Sequence, residues 1–296
     1  MNRRAFLGSG ASAIFAPFTL GGESRAQQQA PATKFPNPGS DGWISIFNGR
    51  NLDGWYVYLQ KSGKSNDPLG MVRVDNGMIH ILGNHVPDGA AETGFLSTTA
   101  EYANYRFRGE YKWGVARHRP RTEYKRDNGL LIHVVGEDRV FPMCMEYQVQ
   151  EGDTGDIIPI GGIRHMSPQI GAGLPPWPNM PQNAVPAGGP GQPRGNKRVT
   201  DFEDRDGWNV AEYVCRGADC VFIVNGRIVN SMFRMTRPDP PVFPPSARGG
   251  APPPAAATPA VEPTYVPLDR GRIGIEVEYA EIWWRNLAIR PITDAD

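Results

Sequence analysis

The sequence predicts an all-β domain, an antiparallel sandwich or jelly roll of two sheets. Three observations predict it. Short runs of alternating apolar and polar residues recur along most of the chain, with the two-residue period of half-buried strands. Asn76-Gly77 and Asn225-Gly226 each sit between two such runs, and Asn-Gly tolerates the positive φ that a tight hairpin turn demands. Long helical periods are absent, while 35 glycines and 29 prolines punctuate the 296 residues at short intervals.

Residues 43–47 read as a first short strand, followed by a turn-rich link that ends at Trp55. Residues 71–74 and 78–82 flank Asp75-Asn76-Gly77 and form a β-hairpin. Strands follow at 94–98 and 105–113. In the second, Tyr105, Phe107, Gly109, Tyr111 and Trp113 share one parity and one face, so Arg106, Arg108, Glu110 and Lys112 point the other way. Residues 117–127 are highly charged and read as a surface loop before a strand at 130–135. Residues 212–215, 220–224 and 227–229 make a meander, and 271–279 and 280–289 close the domain. Two stretches, 166–197 and 236–267, are rich in Pro and Gly and read as long loop insertions within one domain spanning 43–292. The first carries Trp177, which can stack on a ligand; the second is expected to be disordered.

The N-terminus has the form of an export signal. Arg3-Arg4 precedes Phe6-Leu7 and an apolar run too short to span a bilayer, and Ser24-Arg25-Ala26 offers small residues for cleavage after Ala26. A flexible arm, 27–42, follows. These features predict a twin-arginine signal, a periplasmic or secreted protein and no stable membrane anchor. A formal net charge of zero argues against a nucleic-acid partner, which needs a clustered basic surface. Of three cysteines, Cys215 and Cys220 bracket a hairpin turn and are spaced to pair in an oxidising compartment.

The stretch richest in chemistry is 143–156. By alternation Met145, Tyr147 and Val149 share a core face, while Glu146, Gln148 and Gln150 share the opposite one. A β-bulge after Gln148 would bring Glu151 round to join Glu146. Two carboxylates and an amide in one groove suit acid–base work on a sugar. Asp153 and Asp156, in the Gly-rich loop beyond, are oxygen donors of the kind that bind Ca²⁺. No Gly-x-Ser-x-Gly elbow and no zinc spacing of Cys and His occurs in the sequence.

Seven short blocks give the chain a family resemblance. Residues 47–55, Phe-Asn-Gly-Arg-Asn-Leu-Asp-Gly-Trp, resemble the "FNGKDLSGW" opening of the 3-keto-disaccharide hydrolase family. Residues 127–133 resemble its "NSGIxxR" strand, 146–151 its "EYQxxD", 208–212 its "WNxxE", 271–276 its "GxIgLQ" and 285–289 its "FRNIxI"; Asn225-Gly226 stands at its hairpin. The match runs from Trp43 to Pro291 apart from the two insertions. The resemblance implies a concanavalin A-like sandwich with a carbohydrate bound on the concave sheet. Three departures bear on the site: His133 stands where the family often has Arg, Glu151 replaces Asp, and Glu276 replaces Gln.

The expected catalytic residues are therefore Glu146, with His133 as its partner, and Glu151. The expected substrate-binding residues are Gln148, Lys112, Glu276, Glu278 and Trp177. The reaction expected is glycosidic cleavage of a 3-keto-glycoside: a C3 ketone acidifies the C2 proton, a base removes it and the C1 substituent leaves. A His/Glu/Gln groove is compatible with a divalent cation that would stabilise the enediolate, and paired carboxylates can also hydrolyse directly. The alternative is a non-catalytic carbohydrate-binding module of the same fold, which would present a flat aromatic platform and no pair of titratable groups converging on one sugar ring.

Overall fold

The computed structural model describes residues 41–168, 184–188, 197–241 and 263–293. The expected signal, nearly all of the arm and Trp177 lie outside them. The described residues build two sheets of β-strands, numbered in chain order, and every pairing is antiparallel. The smaller sheet has seven strands. In spatial order they are β10 (Ile157–Ile160), β9 (Met143–Gln150), β8 (Asp127–Val135), β17 (Arg272–Val277), β6 (Gly94–Thr98), β2 (Trp55–Leu59) and β3 (Gly63–Lys64). The larger sheet runs β12 (Ala184–Gly188), β11 (Arg164–Pro168), β15 (Arg227–Asp239), β14 (Asp219–Val224), β13 (Asn209–Arg216), β7 (Tyr105–Arg117), β18 (Ala280–Pro291), β5 (Met78–Ile81) and β4 (Val72–Asp75). β1 (Ile44–Ser45) pairs beside β18, and β16 (Thr264–Pro267) beside β15. Among the described residues no helix is long and apolar enough to cross a membrane.

The sandwich core is where the inner faces of the two sheets meet. The aromatic stripe of β7 supplies Tyr105, Phe107, Tyr111 and Trp113, all buried. Gly109 completes that stripe because a Cβ there would come within 2.7 Å of Leu287. From the opposite sheet Tyr147 lies flat against Phe222, with ring centroids 4.3 Å apart, and its hydroxyl donates to the Ile223 carbonyl at 3.0 Å. Met145 and Val149 flank it in the same core. Both Asn-Gly turns form as expected: Asn76 and Gly77 have φ of 50° and 77°, and Asn225 and Gly226 have 49° and 77°.

Two expectations need correction. The Pro/Gly-rich stretches are not loops throughout. β11 pairs with β12 inside the first, and β15 pairs with β16 at the two ends of the second. Among the described residues β12 and β16 pair on one side only, where a missing N–H is tolerated, so composition undervalued them. The second correction concerns His133. The register of β8 against β9 shifts between Ile132 and Val135, and its register against β17 shifts at the same place. His133 is the residue at that bulge, with φ of 53°. The turn in the backbone sends its ring inward: Nδ1 faces the Leu268 carbonyl at 3.3 Å and the ring tilts against Tyr105. Strict alternation would have placed it beside Glu146; the bulge takes it to the core instead.

Burial lowers the His133 pKa to about 4, with the Leu268 contact only partly opposing. The unfolded chain takes up this proton near pH 6.5, and the folded chain refuses it until about 4. The stability contributed is therefore full above pH 6.5 and is lost as pH falls toward 4, by on the order of 3 kcal/mol. Asn tolerates a left-handed φ, so His133→Asn is expected to fold and to flatten this part of the stability profile. Denaturant melts at pH 8 and pH 5 check this; an unchanged acid slope in the variant would assign the loss to other groups.

Candidate active site

The outer face of the seven-stranded sheet is the reverse of the Tyr147 face, so the packing of Tyr147 positions Glu146 and Gln148 there. The registers lay out two rows across five strands. One runs Gln148, Gly129, Glu276, Phe95 and Tyr58; the other runs Glu146, Leu131, Gly274, Ser97 and Tyr56. A third begins at Gln150 and Asp127. An outer sheet face is normally wet, yet here Glu276 is 1% exposed, Glu278 2%, Asp127 3%, Glu146 6% and Gln148 7%. On the outer face of the larger sheet Arg108 is exposed and Lys112 partly so, while their row neighbours Glu212 and His80 are buried.

The rows converge on Gly129. A Cβ at that position would lie 2.8 Å from Glu276 Oε2 and 3.1 Å from Glu146 Cγ. Two glutamates on strands either side of β8 lean into the space that this glycine leaves, so they are immediate neighbours. The Asn128 amide donates to the Glu276 carbonyl, tying β8 to β17 beside the pair. A second cluster adjoins. Arg121 Nη1 donates to Asp127 Oδ2 at 2.6 Å and meets Glu278 Oε1 at 3.0 Å. Gln148 Nε2 donates to the other Asp127 oxygen at 3.1 Å. Burial pushes Asp127 up to about 7, with the Glu278 carboxylate adding to the rise and Arg121 opposing it. On the far side of Glu276, Tyr58 stacks on Phe95 with centroids 5.4 Å apart, an aromatic pair on the same sheet face.

The structure thus brings together Glu146, Gln148, Glu276 and Glu278, and it does not bring the rest. Glu151 stays out because no bulge follows Gln148: the pairing continues unbroken through Val149 and Gln150. Glu151 instead accepts from Arg126, which holds its carboxyl below the usual range, and faces Arg117. Lys112 is opposite Trp283 on the outer face of the larger sheet, across the whole sandwich from Glu146. Asp153 and Asp156 are occupied by the chain's own cations, Lys125, Lys197 and Arg198. Among the described residues no group of three or more His, Cys, Asp or Glu side chains is placed to hold a metal ion. With His133 turned into the core, the His/Glu/Gln donor set that would suit a divalent cation is not assembled among the described residues. Sequence reasoning missed Asp127, Arg121, Tyr58 and Phe95. Asp127 had a signal, since it shares parity with Gly129 in the 127–133 block; Arg121, in a charged loop, had none.

Residues 42–290 match the family described as the 3-keto-alpha-glucoside-1,2-lyase-like domain. The chain belongs to that family. No curated protein matches it. Among solved structures, a candidate glycosyl hydrolase from Parabacteroides distasonis is 17% identical with a TM-score of 0.47, covering 86% of this chain and 95% of its own. A Bacillus subtilis protein of unknown function with a galectin-like fold is 12% identical, with a TM-score of 0.38 and coverages of 81% and 90%. The carbohydrate-binding module CBM66 of the same organism is 10% identical, with a TM-score of 0.33 and coverages of 84% and 95%. Within this lyase-like domain the block containing Gly129 leaves the space into which the Glu146 and Glu276 side chains lean.

Gly129→Ala tests that meeting point. The added methyl collides first with a carboxylate end, which can swing away, so the fold is expected to survive with a small fall in melting temperature. The pair is expected to spread, and displacements of this size cost up to roughly 10²-fold in turnover. Thermal melts and steady-state rates on 3-keto-α-glucosides check this; full activity in the alanine variant would show that the contact over Gly129 is dispensable.

Proposed function

We propose that this chain cleaves the glycosidic bond of 3-keto-α-glucosides by elimination across C1 and C2. The observation that carries the reading is the convergence of Glu146 and Glu276 over Gly129, both buried, on the sheet face that also carries the stacked Tyr58 and Phe95. Cleavage needs two proton transfers in one place. A carboxylate takes the C2 proton, which the adjacent ketone has made acidic. The electron pair left on C2 forms the C1–C2 double bond as the C1–O bond breaks. A carboxylic acid gives its proton to the departing oxygen, and water can add to the unsaturated product afterwards. Burial raises carboxyl pKa values and lets one member of a close pair stay protonated while the other is ionised. We assign Glu146 as the base and Glu276 as the acid. Gln148, held by Asp127, is positioned to bind the sugar, and Tyr58 to stack on it.

The family description supports the substrate class; the role given to Glu276 is particular to this chain, because the family block has Gln there. A glutamine at this position can bind a sugar but cannot titrate, whereas this chain has an acid there. A binding module would need only an aromatic platform and amides; here the same sheet face carries the Tyr58–Phe95 stack and, beside it, Glu146 and Glu276 over Gly129. Export of the folded chain is part of the same proposal, supported by Arg3-Arg4, the short apolar run and Ser24-Arg25-Ala26.

Product analysis after incubation with methyl 3-keto-α-glucoside and with methyl α-glucoside tests the reaction. Release of methanol from the keto-sugar alone is expected. Glu146→Gln and Glu276→Gln keep shape and most hydrogen bonding, and each is expected to lower turnover about 10²- to 10⁴-fold with little change in melting temperature. Wild-type rates in both variants would move the chemistry to other residues, and binding of both sugars with no turnover would favour the binding module.

A further inference from the structure

Cys215 and Cys220 stand directly opposite each other on β13 and β14. Arg216 and Asp219 are the next pair, closing the two-residue turn at Gly217-Ala218, where Gly217 has φ of 56°. In such a hairpin the pair flanking the turn is hydrogen-bonded and the pair after it is not. The cysteines occupy that second pair. Its Cα atoms approach to about 4.5 Å, inside the window of roughly 4.4–6.8 Å that a disulfide accepts. Their sulfurs lie 3.2 Å apart, so a small side-chain rotation brings them to bonding distance. Cys144 is not a rival partner: it lies in the small apolar cluster on the outer face of the other sheet.

We propose that Cys215 and Cys220 form an oxidative modification site, converted by a disulfide oxidant into a disulfide within the hairpin. One thiolate attacks a sulfur of the oxidant, forming a mixed disulfide and releasing one thiol. The second cysteine's thiolate then attacks the mixed disulfide, the intrachain S–S bond forms, and the second thiol leaves. The chain loses two electrons and two protons, and the oxidant's disulfide gains them.

The timing is restricted by the fold. Cys215 and Cys220 are 0% and 1% exposed, and burial holds the Cys215 thiol well above its usual pKa, so thiolate is scarce and an oxidant cannot reach it. The hairpin tip is also tied down. The Gly217 N–H donates to Asn104 Oδ1 at 2.7 Å, and the Met235 N–H donates to the Ala218 carbonyl at 2.8 Å. Oxidation is therefore faster before β13 and β14 dock, and a chain exported already folded acquires the bond only slowly. This site stands apart from the carbohydrate reading and does not depend on it.

Arg216 makes the test simple, because trypsin cuts between the two cysteines. The full chain is refolded from denaturant in a buffer of oxidised and reduced glutathione, alkylated, and mapped by mass spectrometry without reduction. The expected result is the peptide ending at Arg216 joined to the one beginning at Gly217, lighter by two hydrogens and separated by dithiothreitol, with Cys144 alone alkylated. Chain folded first under reducing conditions and then moved to the same buffer is expected to oxidise at least ~10-fold more slowly than unfolded chain. Three alkylated cysteines after oxidative refolding, or a link to Cys144, would overturn the pairing. Equal rates from folded and unfolded chain would overturn the timing.

Discussion

The contact of Tyr147 with Phe222 is the constraint on which the site depends. It joins the two sheets at the middle of the sandwich, and the Tyr147 hydroxyl adds a bond to the Ile223 carbonyl. A strand whose central aromatic ring is locked in the core cannot roll or slip by one residue, because a slip would exchange its faces. Glu146 and Gln148 are therefore held on the reverse face by their neighbour's packing. The unbroken pairing with β8 then sets Gln148 beside Gly129 and Glu146 beside Leu131. β17, paired on the other side of β8, delivers Glu276 to the same glycine.

Such a cluster is costly. Buried carboxyl groups lose hydration, and each stays in place only through protonation or a specific partner. Both remedies are visible at one corner, where Arg121 bridges Asp127 and Glu278 while burial and the Glu278 carboxylate raise the Asp127 pKa. The sandwich offsets that cost with an aromatic core of Tyr105, Phe107, Tyr111, Tyr213, Phe222 and Trp284, all fully buried. The same groups that weaken the fold are those to which the proposal gives the acid–base chemistry. This is the usual relation between a strained site and a stable scaffold.

Much of the fold was legible in the sequence, for local reasons. Asn-Gly turns, the β7 stripe and the alternation of β9 are all carried by neighbouring residues. The errors came where information is not local. Parity gave Lys112 its correct face but could not say on which sheet that face lies. The bulge fell at His133 and not after Gln148, and one extra residue in a strand reverses everything that alternation predicts beyond it. Glu276 and Glu278 were named from parity and family position, yet their approach to Glu146 depends on strand order, with β17 and β9 on either side of β8. Asp127 was legible in hindsight from its spacing to Gly129. Arg121 was not, because nothing in a charged loop marks which of its arginines turns inward. Trp177 lies outside the described residues.

The central claim is that Glu146 removes the C2 proton before the C1–O bond is broken with help from Glu276. Incubating methyl 3-keto-α-glucoside in D₂O and following C2 by NMR tests it most directly, against an enzyme-free control. Glu276→Gln is expected to exchange the C2 proton for deuterium faster than the control while releasing little methanol, and Glu146→Gln is expected to exchange no faster than the control. Cleavage by the wild type to a sugar that keeps its original C2 proton would contradict elimination and point to direct hydrolysis.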